Sequence, residues 1–289
     1  MTPSKTATDF RRSLEARLKN TSVKTGQDLH RIRRKVAFER LLARIFCSES
    51  NGFVLKGGYA MELRIASARA TKDIDLTCLR RADDQDISIE SVITEELREL
   101  AKKDLNDYFT FEIGQAKKDL DNAPYGGARY SVASFLDKRL FVRFQLDVGA
   151  DSVVDEVEFM EGSDWLGHYG IENPKMRMIS IEQQFAEKLH AYSLPREQRV
   201  NTRAKDLVDM LLLLELREID GESLIDVVQK IFRVRRTHPL PKNLEPPPPE
   251  WALVYEALAN ECGITLSMFQ AYEELNKFFG AAAEAAGFN

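Results

Sequence analysis

The chain is 289 residues long, 44% hydrophobic and 30% charged, with a formal net charge of −5. That length sustains a real core in one large or two modest domains. No apolar run is long enough to span a membrane, and the acidic balance argues against a general nucleic-acid binder. Cys47, Cys78 and Cys262 are scattered without a CxxC spacing, which argues against a disulfide framework or a structural zinc site. The opening residues, MTPSKTATDFRRS, lack the apolar core of a signal peptide, so the cytoplasm is the expected compartment.

Charge is uneven along the chain. Residues 1–50 carry twelve Lys and Arg against five acids, which puts +7 there and −12 in the remainder. Two readings fit: a basic segment that steers a polyanion toward a local site, or solvated helix faces.

In chain order, Thr8 to Leu18 reads as a short helix with polar capping, and Leu29, Ile32, Val36, Leu41 and Ile45 predict an amphipathic helix over Gln27 to Ser48. Phe53 to Leu55 is a short strand, Gly58 opens a helix to about Ala66, and Lys72 to Leu79 is the next strand. A helix over Ile87 to Lys103 follows. Strands are expected at Tyr108 to Ile113, Ala128 to Phe135 and Leu140 to Val148, the last two joined as a hairpin at a break on Lys138 and Arg139 together with Asp137, with a further strand at Val153 to Met160. After Pro174 helices are expected over Ile181 to Leu194, Arg203 to Leu216, Ser223 to Val234, Trp251 to Glu261 and Leu266 to Ala286. THPLPKNLEPPPPEW, between the third and fourth of these, reads as an extended proline-rich linker. The expected organisation is a basic helical arm over 1–50, an α/β domain over 51–173, and a helical domain over 174–289 with its proline-rich linker at 238–250; the fold class is α+β.

The chemistry concentrates in FVLKGGYAMELRIASARATKDIDLTC, residues 53–78. On a strand, residues two apart share a face, so Asp73 and Asp75 project together while Ile74 and Leu76 enter the core. Paired carboxylates repel unless a cation lies between them. Magnesium takes such oxygen ligands together with substrate phosphates, manganese being a possible substitute. Gly57 and Gly58, between a strand and a helix, let backbone N–H groups approach a phosphate closely; Arg69, Thr71 and Lys72 add donors nearby. A two-metal phosphoryl-transfer site needs a third carboxylate from another strand. FVRFQLDVGAD supplies Asp147, with Asp151 as the alternative.

Two later helices carry further candidates. In SIEQQFAEKLHAYSL, Lys188 falls inside the apolar stripe of Ile181, Phe185, Leu189 and Tyr192. It is either a lysine delivered to a phosphate or one that snorkels from the helix edge. In NTRAKDLVDMLLLLEL, Asp206 lies in line with Met210 and Leu213, placed to pair with Lys188 or Arg203 or to hold a catalytic group. Lys205 and Asp209 read as a surface pair on the opposite side.

The set KGG, RATKDIDL, QLDVGAD, EKLHA and RAKDLVDML, with LHRIRRKVAFERLLARI ahead of it, resembles the AbiEii/AbiGii toxin family of nucleotidyltransferases, from type IV toxin–antitoxin and abortive-infection (phage-defence) systems. The strand, GG, helix and DxD order is that of the DNA polymerase beta-like superfamily. The resemblance covers about residues 8–216. It implies a mixed nucleotidyltransferase sheet with flanking helices and a C-terminal helical domain. It further implies magnesium at Asp73 and Asp75, triphosphate contacts from Lys56, Gly57 and Gly58, and a site completed by Lys188 and Asp206. The implied reaction moves a nucleotidyl group from a nucleoside triphosphate to RNA, at the 3′ end of tRNA, and the implied partner is a cognate antitoxin. Asp73, Asp75, Asp147, Lys188 and Asp206 are the catalytic candidates. A protein or small-molecule acceptor of aminoglycoside type, or a non-catalytic nucleotide-binding protein, are the competing readings.

Overall fold

The structure, a computed structural model, describes residues 6–48, 52–79, 89–117, 126–149, 153–195 and 203–287. Two compact units make up the chain. The first takes Met1–Tyr59, Ala70–Asp151 and Phe159–Met178; the second takes Ala60–Arg69, Ser152–Glu158 and Ile179–Asn289.

Among the described residues a seven-stranded mixed sheet takes most of its strands from the first unit. Its strands are β1 (Phe53–Lys56), β2 (Asp73–Cys78), β3 (Phe109–Ile113), β4 (Gly127–Leu136), β5 (Arg139–Gly149), β6 (Val157–Glu161) and β7 (Lys175–Ile179), in the order β3-β4-β5-β2-β1-β7-β6. β1 runs antiparallel to β2, β2 parallel to β5, and β1 parallel to β7. β4 shows why it is a strand: Ala128, Tyr130, Val132, Ser134 and Leu136 are buried, and the residues between them are not. It turns into β5 through Asp137 and Lys138, both with positive φ (53° and 57°), which is the left-handed pair a two-residue hairpin uses. The turn thus uses Asp137 and Lys138 of the expected break, while Arg139 opens β5. Asp137 accepts hydrogen bonds from Thr8 Oγ1 and Arg11 Nε, which tie the turn to the first helix.

That helix, α1 (Ala7–Thr25), runs well past Leu18 until Gly26 stops it at φ 72°. α2 (Leu29–Ile45) packs on α1, on β5 and on α4 (Ile89–Ala101). The expected start of α4 at Ile87 lies outside the described residues. β7 was not anticipated. Its alternation of exposed Lys175, buried Met176, half-buried Arg177 and buried Met178 is a strand signal that the change of character after Pro174 obscures.

In the second unit, α5 (Ile181–Ser193), α6 (Ala204–Glu215), α7 (Gly221–Arg235), α8 (Ala252–Cys262) and α9 (Met268–Ala285) enclose one apolar core. α6 is buried almost all round, as its LVDMLLLL run dictates. The proline-rich segment forms no helix or strand before a short 3-10 turn at Pro249–Trp251, bends at 237–238 and 242–243, and is pinned to the helices. Tyr192 and Tyr272 donate to the carbonyls of Glu245 and Leu244, Asn276 Oδ1 accepts from Leu244 N–H, and Leu244 and Trp251 are buried. Among the described residues no helix is long and apolar enough to cross a membrane. The architecture is thus α+β: a mixed sheet with flanking helices and a C-terminal helical bundle.

Candidate active site

The glycine pair is explained first by the aspartates, before any ligand enters. β1 ends at Lys56, and α3 (Gly57–Arg64) starts at Gly57 with φ 69°, a conformation costly for any residue with a Cβ. A Cβ on Gly57 would stand 2.0 Å from Asp75 Oδ2, and one on Gly58 would stand 2.7 Å from Thr71 Oγ1. The turn therefore packs its backbone directly onto the DxD strand. Gly58 N–H points at Asp75 Oδ2 at 3.4 Å, so this carboxylate lies at the positive end of α3. Thr71 is buried; its hydroxyl donates to Asp73 Oδ1 at 2.6 Å, and its carbonyl accepts from Arg34 Nε at 3.0 Å.

Strand register then assembles a row. Lys56 is opposite Asp75, Asp75 opposite Asp147, and Asp147 opposite Arg129, across β1, β2, β5 and β4. Paired residues on neighbouring strands share a face, so Asp73, Asp75 and Asp147 all project to one side of the sheet. Ile74 and Leu76 are fully buried on the other, as the alternation required. Two like charges in register about 5 Å apart repel by roughly 3 kcal/mol at an effective dielectric of about 20. The counter-charge comes from Arg129, whose Nε and Nη2 donate to Asp147 Oδ1 and Oδ2 at 2.7 and 2.6 Å. Asp147 in the first place, and Asp73 and Asp75 with it, hold this guanidinium far on the protonated side.

The donor set suits a hard divalent cation. Three carboxylates share a face, and Gln145, in register with Asp73, has a buried Oε1 without a hydrogen-bond partner among the described residues. No cluster of three His, Cys, Asp or Glu stands ready-made at metal-holding geometry among the described residues; Asp147 is engaged by Arg129 instead. Asp151, the alternative third carboxylate, lies outside the described residues.

The second unit holds the other candidates in a buried charge network. Lys188 Nζ donates to Asp209 at 2.6 Å and to Asp206 at 3.2 Å. Arg69 donates to both oxygens of Asp209 at 3.0 and 2.8 Å, and Arg203 reaches Asp206 at 3.3 Å. Burial alone would lower the Lys188 pKa, but Asp209 and Asp206 outweigh it and hold the ammonium above its ordinary range. For Asp209 burial pushes upward, yet Lys188 and Arg69 bring it below the usual carboxylate range. Lys188 thus does not snorkel; it is ion-paired. Asp206 pairs with both Lys188 and Arg203, the two partners proposed for it.

Asp209 corrects the sequence reading. It is fully buried and ties Arg69 to Lys188, while only Lys205 of the expected surface pair is exposed. A wheel with one apolar side misassigns it because α6 is buried on nearly every side. The basic N-terminal segment also needs correcting. Arg40 and Arg44 are buried around Asp107, at 2.7 Å each, so they offer nothing to a polyanion. Arg129 was missed as well; its importance appears only once β4 and β5 are in register. Glu39 is a further omission. It is buried, accepts from Tyr59 Oη at 3.0 Å and Trp165 Nε1 at 3.1 Å, and its pKa is raised by burial. Through Tyr59 it fixes the residue that follows the glycine pair.

The family model for the nucleotidyl transferase AbiEii toxin of type IV toxin–antitoxin systems matches residues 40–276. No curated protein matches the chain in sequence. Among solved structures, the chain is similar to MenT4, the nucleotidyltransferase toxin Rv2826c from Mycobacterium tuberculosis H37Rv, with a TM-score of 0.57 at 15% identity over 94% of this chain and 98% of that one. JHP933 from Helicobacter pylori aligns with a TM-score of 0.49 at 14% identity over 89% and 93%. At these identities the MenT4 likeness speaks for a shared fold.

Proposed function

Because the chain belongs to the AbiEii nucleotidyl transferase toxin family, we propose that it transfers a nucleotidyl group from a nucleoside triphosphate to RNA, at the 3′ end of tRNA, with magnesium as the cation. The observation that carries this reading is the register of β2 and β5, which sets Asp75 against Asp147 and Asp73 on the same face, beside the Gly57–Gly58 turn. Asp73, Asp75 and Asp147 are the residues that would hold the cation. When bound, it would neutralise the triphosphate and lower the pKa of the attacking hydroxyl.

The chain's own groups divide the remaining work. Gly57 and Gly58 let the start of α3 close onto Asp75 and Thr71, which brings its backbone N–H groups, with Lys56, to where a phosphate held by the carboxylate-bound cation would lie. Thr71 orients Asp73 through its hydroxyl. Within the second unit, Asp206 and Asp209 keep Lys188 protonated and fixed in place. The acceptor oxygen attacks the α-phosphorus, and pyrophosphate leaves. The partners are a nucleoside triphosphate, tRNA and, from the family, a cognate antitoxin protein; the compartment is the cytoplasm. Incubation with each of the four labelled nucleotides, total tRNA and magnesium tests the proposal. Label on the tRNA fraction is expected for at least one nucleotide. Label on protein or small molecules alone would move the acceptor to another class.

A further inference from the structure

We infer that Arg129 is the resident counter-cation of the carboxylate row, and that a divalent cation loads the site only by displacing its guanidinium from Asp147. This rests on the proposed function for the metal, and it adds a residue that the reading does not need. Three observations support it. Arg129 engages both oxygens of Asp147 with one hydrogen bond to each, so the guanidinium already holds the two-oxygen edge that a chelated cation would use. The two side chains differ in freedom: Asp147 is 10% exposed and fixed within β5, whereas Arg129 is 45% exposed on β4 and can swing into solvent, provided that the incoming cation takes over the neutralisation of Asp147. Lastly, Arg129 feels Asp73 and Asp75 as well as Asp147. It therefore neutralises the whole row, the same task a divalent cation performs. The two cations compete for one set of oxygens.

Competition of this kind makes metal binding conditional. The protein alone binds a divalent ion weakly. An incoming polyphosphate favours loading twice, by bringing ligands to the metal and by offering the displaced guanidinium an anion. Arg129 thereby couples metal to nucleotide and discourages loading in the absence of nucleotide.

The test is manganese binding by the full chain without nucleotide, followed by electron paramagnetic resonance or calorimetry, in the native protein, Arg129→Gln and Arg129→Lys. Arg129→Gln is expected to bind manganese at least tenfold more tightly than native. Arg129→Lys, which keeps the charge but not the two-pronged contact, is expected to fall between. In an Asp147→Asn background the Arg129→Gln gain is expected to vanish. Thermal unfolding in chelator is the folding control: Arg129→Gln is expected to melt below native in chelator and to be raised more than native by manganese. Equal manganese affinity in native and Arg129→Gln would overturn the inference while leaving the metal reading intact. No manganese binding by either protein, in the presence or absence of nucleotide, would overturn both.

Discussion

Asp75 faces Asp147 in direct register across two parallel strands, and the backbone of Gly57, which follows the neighbouring strand β1 and opens α3, closes against Asp75. The relationship is costly in itself, since like charges directly opposite one another destabilise a sheet. A fold that keeps such a pair, and spends a positive-φ glycine to fit it, is organised around the carboxylates.

Gly57→Ala tests that packing. The new Cβ needs both the left-handed conformation, at roughly 1–2 kcal/mol, and space that Asp75 Oδ2 occupies. The expected outcome is a folded protein, lower in stability by about 2 kcal/mol, with transferase activity down at least a hundredfold. Urea unfolding beside the transfer assay separates the two effects. Activity within threefold of native would show that Asp75 moves aside freely.

Asp209→Ala leaves Arg69 and Lys188 without their shared partner in a buried setting. Breaking a buried pair from one side costs about 3–5 kcal/mol. Asp206→Ala is expected to cost less, because Lys188 keeps its 2.6 Å contact to Asp209. Lys205→Ala, on the exposed side of α6, is expected to stay within about 0.5 kcal/mol of native. Denaturant midpoints rank the three, and a Lys205→Ala effect as large as that of Asp209→Ala would restore the surface-pair reading.

Acid sensitivity follows from the lowered carboxylates. Asp209 and Asp107 both lie below their ordinary 3.8, drawn down by Lys188 and Arg69 in one case and by Arg44 and Arg40 in the other, against the upward push of burial. A depressed folded pKa means stability that is present above 3.8 and lost as pH falls through the folded values. Unfolding free energy is thus expected to fall steeply below about pH 4. In Asp107→Asn this acid limb should be shallower, as urea titrations between pH 2.5 and 6 would reveal.

Glu39 works in the opposite sense. Its pKa is raised above 4.5, first by burial, so the folded state binds a proton that the unfolded state has released. Stability linked to it is greatest below 4.5 and declines as pH rises through its folded value. Glu39→Gln is expected to gain on native progressively as pH climbs above 4.5, measured as the difference in melting temperature. A pH-independent difference would contradict the assignment.

These cases show what the sequence made legible. Period-two alternation put Asp73 and Asp75 on one face, and it is local, so DIDL alone was enough. Glycine pairing ahead of a helix was equally local. Register was not: that Asp147 meets Asp75, and that Arg129 meets Asp147, depends on how β4, β5 and β2 align, which no short window encodes. Asp209 was misread for a related reason. A helix wheel assumes a solvated side, and α6 has almost none. Arg40 and Arg44 counted toward a basic surface because charge in a sequence carries no record of Asp107, more than sixty residues away.

The most direct test of the central claim is the fate of the α-phosphate. A nucleoside triphosphate labelled at the α- or the γ-phosphate is incubated with tRNA, magnesium and either the native chain or Asp75→Asn. The expected result is α-label on the RNA, stoichiometric pyrophosphate release, no γ-label on any acceptor, and loss of transfer in Asp75→Asn. Transfer of γ-label, or α-label transfer undiminished in Asp75→Asn, would contradict it.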